Sequence, residues 1–235
     1  GLTSRLLAPI ADQVHVTFPE SREHFGGRGT VSGNPTRAEF GTVGRAEARG
    51  RMGLRPDLPT LLIYGGSQGS RAINTAVGQA LPELMEGRGL QVLWQTGHLD
   101  FESVSEKARP FGDRAIVRPF IDDAPAAFAA ADLIVCRAGA TTIAELARSG
   151  LPALFVPLPT AAADHQTKNA RALVDAGAAR MIPQRHLDGP RLAGAVSDLL
   201  NDSEERDLMS GRMRALAVPD AAARIVHSMQ QGGLL

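Results

Sequence analysis

LLIYGGSQGSRAIN, running from Leu61 to Asn74, joins an apolar run to a glycine-rich turn and the start of a helical pattern. Leu61, Leu62, Ile63 and Tyr64 form a continuous apolar run of the kind found in strands buried on both faces. The turn Gly65-Gly66-Ser67-Gln68-Gly69 follows at once, and then Ile73, Val77 and Leu81 recur at four-residue spacing, one face of a helix. A strand, a tight turn and a helix start bring backbone amides and the positive end of a helix dipole to one point, which suits a phosphate. Glycines let the backbone approach a ligand where side chains would block it, and Ser67 adds a hydroxyl donor. A tight β–α turn without a ligand carries the same local sequence, so both readings stand at this point.

The same unit recurs from residue 59 to residue 185. Further strands are predicted over 90–94, 115–117, 132–136, 153–156 and 180–182. Helices are predicted over 101–108, 124–131, 142–148 and 166–175, with Gly150 as a stop signal. Pro82 is expected to break or restart the first of the helices. Leu192, Val196, Leu199 and Leu200 mark another amphipathic helix, with Asp188 as its cap and Pro190 in its first turn. Repeated β–α units require a parallel sheet with helices on both faces, so the fold class is α/β, doubly wound and Rossmann-like. Such sheets take ligands at the carboxyl ends of their strands.

The front of the chain reads differently. It offers a helix pattern over 4–10, a strand over 14–18 and the segment Ser32-Gly33-Asn34-Pro35-Thr36-Arg37. Residues 41 to 59 are rich in Gly and Arg and poor in periodicity, the signature of a linker. The expected division is therefore 1–40 as the remnant of another domain, 41–58 as linker, 59–218 as the main domain and 219–235 as a C-terminal helix packing back toward the front. The front piece is too short to bury a core, and the chain starts at Gly1 without an initiator Met. Further residues upstream are expected.

Composition narrows the function classes. The chain has 235 residues and a formal net charge of zero, which argues against a nucleic-acid binder working by bulk charge. Lys107 and Lys168 are the only lysines, and Arg is the side chain suited to bidentate phosphate contacts. Cys136 is the single cysteine, which excludes an internal disulfide framework and a thiolate-rich metal site. It lies in the apolar run Leu133-Ile134-Val135-Cys136 and reads as a small core residue rather than a nucleophile. No apolar run approaches the ~18 residues that span a bilayer, and no signal-peptide pattern is visible, so the chain reads as cytosolic. Histidines are scattered, zinc spacing is lacking, and no D-x-D pair is present to hold Mg²⁺ on a diphosphate. The site is expected to work without metal or cofactor.

Other junctions carry polar residues where ligands would sit. Arg137-Ala138-Gly139-Ala140-Thr141-Thr142-Ile143-Ala144-Glu145 is a second strand–turn–helix corner. Glu145 has two readings there: the acidic partner of a Thr142-x-x-Glu145 capping box, or a carboxylate accepting two hydrogen bonds from a ribose diol. Asp164-His165-Gln166 opens a helix as a cap with polar neighbours, or as donors and acceptors matched to sugar hydroxyls. Asp122-Asp123 reads as a helix-capping pair. The glycine-rich turn lacks the Lys-Ser/Thr of a Walker loop and departs from G-x-G-x-x-G. Where a dinucleotide fold wants an acid after its second strand, the sequence has Trp94-Gln95-Thr96-Gly97, which argues against NAD.

Taken in order, these segments resemble the MurG family of bacterial glycosyltransferases. The resemblance rests on residues 1–8 (GLTSRLLA), Gly33-Asn34-Pro35-Thr36-Arg37, Gly65-Gly66-Ser67-Gln68-Gly69 and Phe120-Ile121-Asp122-Asp123. It continues through residues 137–145, Gly150-Leu151-Pro152-Ala153 and Asp164-His165-Gln166-Thr167-Lys168-Asn169-Ala170, nearly the whole chain. It implies a GT-B fold, with this sequence as the donor-binding Rossmann-like domain plus the tail end of a second one. It implies inverting transfer of GlcNAc from UDP-GlcNAc to lipid I (undecaprenyl-pyrophosphoryl-MurNAc-pentapeptide), forming lipid II in peptidoglycan synthesis. The place of action would be the cytoplasmic face of the bacterial membrane, as a peripheral protein seated through the other domain.

The resemblance also assigns residues. The backbone at Ile121 would meet uracil, and Glu145 the ribose. Ser67 with Ala140, Thr141 and Thr142 would hold the diphosphate; Gln166 would meet the GlcNAc, and Arg37 would lie near the donor. Asn34, Gly66, Gln68, Asp164 and His165 are further candidates. No catalytic residue is expected within this sequence, because the family's G-G-T-G-G-H loop with its candidate catalytic histidine is not in it; the stretch alone is expected to be inactive. Two other readings share the architecture: a UDP-GlcNAc 2-epimerase-like isomerase and a non-catalytic nucleotide-sugar module.

Overall fold

The computed structural model describes residues 2–86, 89–161 and 164–234; Gly1 lies outside them. Near the front, helix α1 (Leu2–Leu7) continues as a 3₁₀ turn to Ile10. Strands β1 (His15–Val16) and β2 (Thr30–Val31) form a small parallel pair. The predicted strand over 14–18 is thus cut to two residues, and a 3₁₀ stretch opens at Pro19, whose ring fixes φ and removes a donor.

The main sheet has six parallel strands: β3 (Thr60–Tyr64), β4 (Gln91–Gln95), β5 (Ala115–Arg118), β6 (Leu133–Cys136), β7 (Ala153–Phe155) and β8 (Ala179–Met181). Their spatial order is β5-β4-β3-β6-β7-β8. The chain therefore winds outward from β3 in one direction and then, from β6, in the other. The crevice between the exits of β3 and β6 is the switch point at which doubly wound sheets bind ligands.

Alternation along β3 sends Leu61 and Ile63 to one face and Leu62 and Tyr64 to the other. On the first face, α3 (Arg71–Met85), α4 (Phe101–Ala108) and α8 (Gly189–Asn201) enclose Leu61, Ile63, Val92, Trp94, Leu133, Val135 and Leu154. On the opposite face, α2 (Arg45–Met52), α5 (Ala124–Ala130), α6 (Ala140–Ser149) and α7 (His165–Asp175) cover Leu62, Leu93, Ile134, Cys136 and Phe155. Helices α9 (Ser203–Ala215) and α10 (Ala221–Gln231) complete the chain. Cys136 is wholly buried, and burial pushes its thiol well above the usual range, as befits a core residue.

Two further readings of elements need correction, and one helix was not predicted. Pro82 does not break α3, which runs on to Met85. Leu81, Leu84 and Met85 are all buried there, and that packing outweighs the missing amide bond. The stretch read as a linker holds α2, whose Ala48 and Met52 are buried. Arg49 pins it to the sheet by donating to the carbonyls of Ala130 (3.2 Å) and Pro56 (2.6 Å) and to Asp132 (2.8 Å). Asp132 in turn accepts the amide of Thr60 at 2.7 Å. Helix α9 has no counterpart among the predicted elements; it buries only Met209 and Met213, too few apolar positions to show a period.

Caps fall as the sequence suggests at two places. Asp188 accepts from the Arg191 amide at the start of α8 (2.8 Å), and Asp123 accepts from the Ala126 amide at the start of α5 (3.1 Å). The front segment crosses onto the main domain through residues 33–41. Phe40 is buried edge-on against Phe128, with ring centroids 5.2 Å apart. Arg148 donates to the carbonyls of Ala38 (3.0 Å), Phe40 (3.4 Å) and Pro219 (3.0 Å). Gln13 and Ser228 exchange hydrogen bonds, so α10 lies against the front segment.

Candidate functional site

Three strand exits meet at the switch point. At the first, the Gly69 amide donates to the Gly66 carbonyl (2.8 Å), closing a tight turn in which Gly66 and Gly69 both have positive φ. Ser70 rather than Ser67 caps α3, its hydroxyl accepting from the Ile73 amide at 3.4 Å. Ser67 and Gln68 are exposed at the tip of the turn.

The second exit removes one of the two readings of Glu145. Helix α6 starts at Ala140 with Gly139 at its cap position and no capping side chain. Thr142 is already the third helical residue, so the capping box does not form. The first-turn amides of Ala140, Thr141 and Thr142 receive no side-chain cap, the condition in which a helix start attracts an anion. Glu145 sits one turn further, half-buried. Burial pushes its carboxyl up to about 6, against an opposing pull from Arg37. A carboxylate that is kept from solvent and lacks a structural partner in the helix is poised to accept hydroxyl donors.

Arg37 donates to the Asp122 carbonyl at 3.3 Å, and its guanidinium lies 5.4 Å from the centre of the Phe40 ring. Its charge is felt at both Glu145 and Tyr64. The Tyr64 hydroxyl is pushed up to about 12 by burial and by Glu145. Asn34 reaches the same corner, donating to the Thr141 hydroxyl at 3.1 Å. Ile121 is buried, and its amide donates to the side-chain oxygen of Gln95 at 3.1 Å.

At the third exit, Asp164 precedes α7 with φ of 54° and makes no side-chain cap, so the capping reading fails there. It is the sole non-glycine residue with positive φ among the described residues, a conformation that Asp tolerates better than most. His165 is exposed beside it. The oxygen of the Gln166 amide accepts from the amides of Ala138 (3.2 Å) and Leu158 (3.0 Å), tying the second exit to the third. A sugar would therefore meet the nitrogen end of Gln166, which narrows the role expected of it.

Arg137 does not figure among the site residues expected from the sequence. Its guanidinium donates to the Ser70 hydroxyl (2.7 Å) and to the carbonyls of Val156 (2.9 Å) and Pro157 (3.1 Å). It braces all three exits and places a positive charge behind them. An arginine directly between a buried strand and a turn of small residues was the available signal. The structure thus sets the turn that carries Ser67 and the start of α6, with Ala140, Thr141, Thr142 and Glu145, after the paired strands β3 and β6; Asn34 bonds to Thr141, Arg37 acts on Glu145, Gln166 holds the Ala138 amide, and Ile121 is tied to Gln95.

The six parallel strands and the helices on both faces define a doubly wound α/β domain. The chain belongs to the family described as the glycosyltransferase family 28 C-terminal domain, whose sequence model matches residues 60–225. It is 46% identical over 227 residues to the UDP-N-acetylglucosamine–N-acetylmuramyl-(pentapeptide) pyrophosphoryl-undecaprenol N-acetylglucosamine transferase of Chlorobaculum parvum. That match covers 96% of this chain and 61% of the relative. The protein of the same description in Chlorobium limicola is 40% identical over 98% of this chain and 63% of its own length. The crystal structure of MurG from Acinetobacter baumannii superposes with a TM-score of 0.75 at 31% identity, covering 98% of this chain and 63% of that one. A UDP-N-acetylglucosamine 2-epimerase structure from Listeria monocytogenes shares the fold at 18% identity, with a TM-score of 0.73. The chain therefore spans a little over three fifths of the length of these relatives, and these matches bear out the MurG resemblance read from the motifs. No helix among the described residues is long and apolar enough to cross a membrane.

Proposed function

We propose that the chain is the UDP-GlcNAc-binding part of an inverting transferase that moves GlcNAc onto lipid I at the cytoplasmic membrane face. The observation that carries this reading is the uncapped start of α6 with the half-buried Glu145 one turn inside it. Amides of residues 66–69 and 140–142 would hold the diphosphate, and Glu145 would accept from the two ribose hydroxyls. Uracil would lie against the Ile121 segment, and Gln166 with Asp164 and His165 would face the sugar. The muramyl hydroxyl oxygen bonds to the anomeric carbon as the bond from that carbon to the diphosphate breaks, and the hydroxyl proton passes to a base. Negative charge then grows on the departing UDP, where loop amides, two helix starts and Arg37 stabilise it; preorganised dipoles need no rearrangement at that moment. No residue of this chain is assigned the base.

Calorimetry with UDP and ADP tests the donor assignment. Saturable binding with a preference for UDP of at least about tenfold is expected; equal affinities would contradict it. Formation of a new sugar epimer from UDP-GlcNAc without an acceptor would overturn the transferase reading in favour of an epimerase.

A pH dependence follows from Glu145. The ribose hydroxyls donate to the ionised carboxylate, so binding favours the deprotonated form. Affinity for UDP-GlcNAc is therefore full above the free-state value of about 6 and declines as pH falls through it. The diphosphate diester of UDP-GlcNAc does not titrate in this window, so the decline belongs to the protein. Titrations across the window should show it in the native chain and lose it in Glu145→Gln; a flat native profile would contradict the assignment.

A further inference from the structure

The tripeptide Gln95-Thr96-Gly97 stands where a dinucleotide-binding fold would carry its ribose-binding acid, yet the proposed site gives it no ligand. Gln95 is the last residue of β4, paired with Tyr64 on one side and Arg118 on the other. Its side chain is wholly buried. Its amide nitrogen donates to the Gly66 carbonyl at 2.8 Å, and its amide oxygen accepts from the Ile121 backbone amide at 3.1 Å. One end thus holds the glycine-rich turn and the other holds the segment expected to meet the base.

The two following residues repeat the arrangement with backbone. The Thr96 amide donates to the Arg118 carbonyl and the Gly97 amide to the Pro119 carbonyl, both at 3.1 Å. On the other side, a methyl group at Gly69 would overlap the Thr96 carbonyl oxygen, and one at Gly97 would overlap the Gln68 carbonyl oxygen. The exit of β4 is wedged between the two loops, in contact with both.

We infer that Gln95 is a positioning residue that sets the spacing between the diphosphate-binding turn and the base-binding segment, so that both ends of one nucleoside diphosphate are met at once. The inference rests on the donor-site reading above. A ligand that spans both loops gains from their fixed separation, because the second contact is made without a further loss of freedom. A ligand that fits one loop alone gains nothing from it. A buried amide serving only to satisfy two backbone groups would affect both kinds of ligand alike.

Gln95→Leu and Gln95→Met keep the bulk of the side chain and remove both hydrogen bonds. UDP and inorganic pyrophosphate are titrated against the native chain and both variants, with thermal melting to establish that each is folded. UDP affinity is expected to fall at least about tenfold, while pyrophosphate affinity changes by less than about twofold. Equal loss of both ligands, or no loss of either, in a folded variant overturns the inference while leaving the site in place. Failure of the native chain to bind UDP overturns the site and the inference together. If Gln95→Leu does not fold, Gln95→Met alone decides.

Discussion

Replacing Glu145 by Ala is expected to weaken UDP-GlcNAc binding by about 1.5–3 kcal/mol, roughly tenfold to a hundredfold, the range for hydrogen bonds to a charged group. The fold should survive, because the carboxylate neither caps α6 nor pairs within it. Burial of this charge outweighs the pull of Arg37, so its removal should leave stability little changed or slightly improved. Calorimetry and a urea melt on the same preparation check both halves. Loss of stability with unchanged affinity would return Glu145 to a structural role.

Gly69→Ala should have the largest effect on stability. Gly69 has φ of 72°, where a residue with a Cβ costs about 1–2 kcal/mol. The added methyl would also overlap the Thr96 carbonyl oxygen and crowd Gly97, which are backbone atoms that cannot swing aside as a side chain can. A loss of about 4 kcal/mol is expected, or else a displaced turn that no longer binds UDP. Gly66 supplies the control: its φ is 84°, but a methyl there meets nothing within 4 Å. Gly66→Ala should show the strain alone, about 1–2 kcal/mol. Urea midpoints for the two variants measure the difference; equal losses would mean that contact with the β4 exit contributes nothing.

The sheet and its order of units were legible because strands buried on both faces leave uninterrupted apolar runs, as Leu61–Tyr64 and Leu133–Cys136 do. Helices with a wide apolar face, such as α3 and α8, declared themselves by period, and α8 by its cap as well. Helix α2 did not, since its attachment comes from Arg49 and a distant Asp132, a contact 83 residues apart in sequence. Helix α9 hid because it buries only Met209 and Met213.

At the site, the glycine-rich turn and the small residues before α6 were readable because close backbone approach leaves a trace in residue type. The role of Glu145 was ambiguous in one dimension: Thr142-x-x-Glu145 has capping-box spacing, and only the observed helix start at Ala140 removes that option. Arg137, Gln95 and the oxygen of Gln166 act by joining loops that are far apart in sequence, and no local pattern records such partners.

The most direct measurement is a crystal of the chain soaked with UDP. Its diphosphate should lie against the amides of residues 66–69 and 140–142, with the ribose hydroxyls on Glu145. A nucleotide bound away from that crevice, or bound there with Glu145 turned from the ribose, would contradict the account.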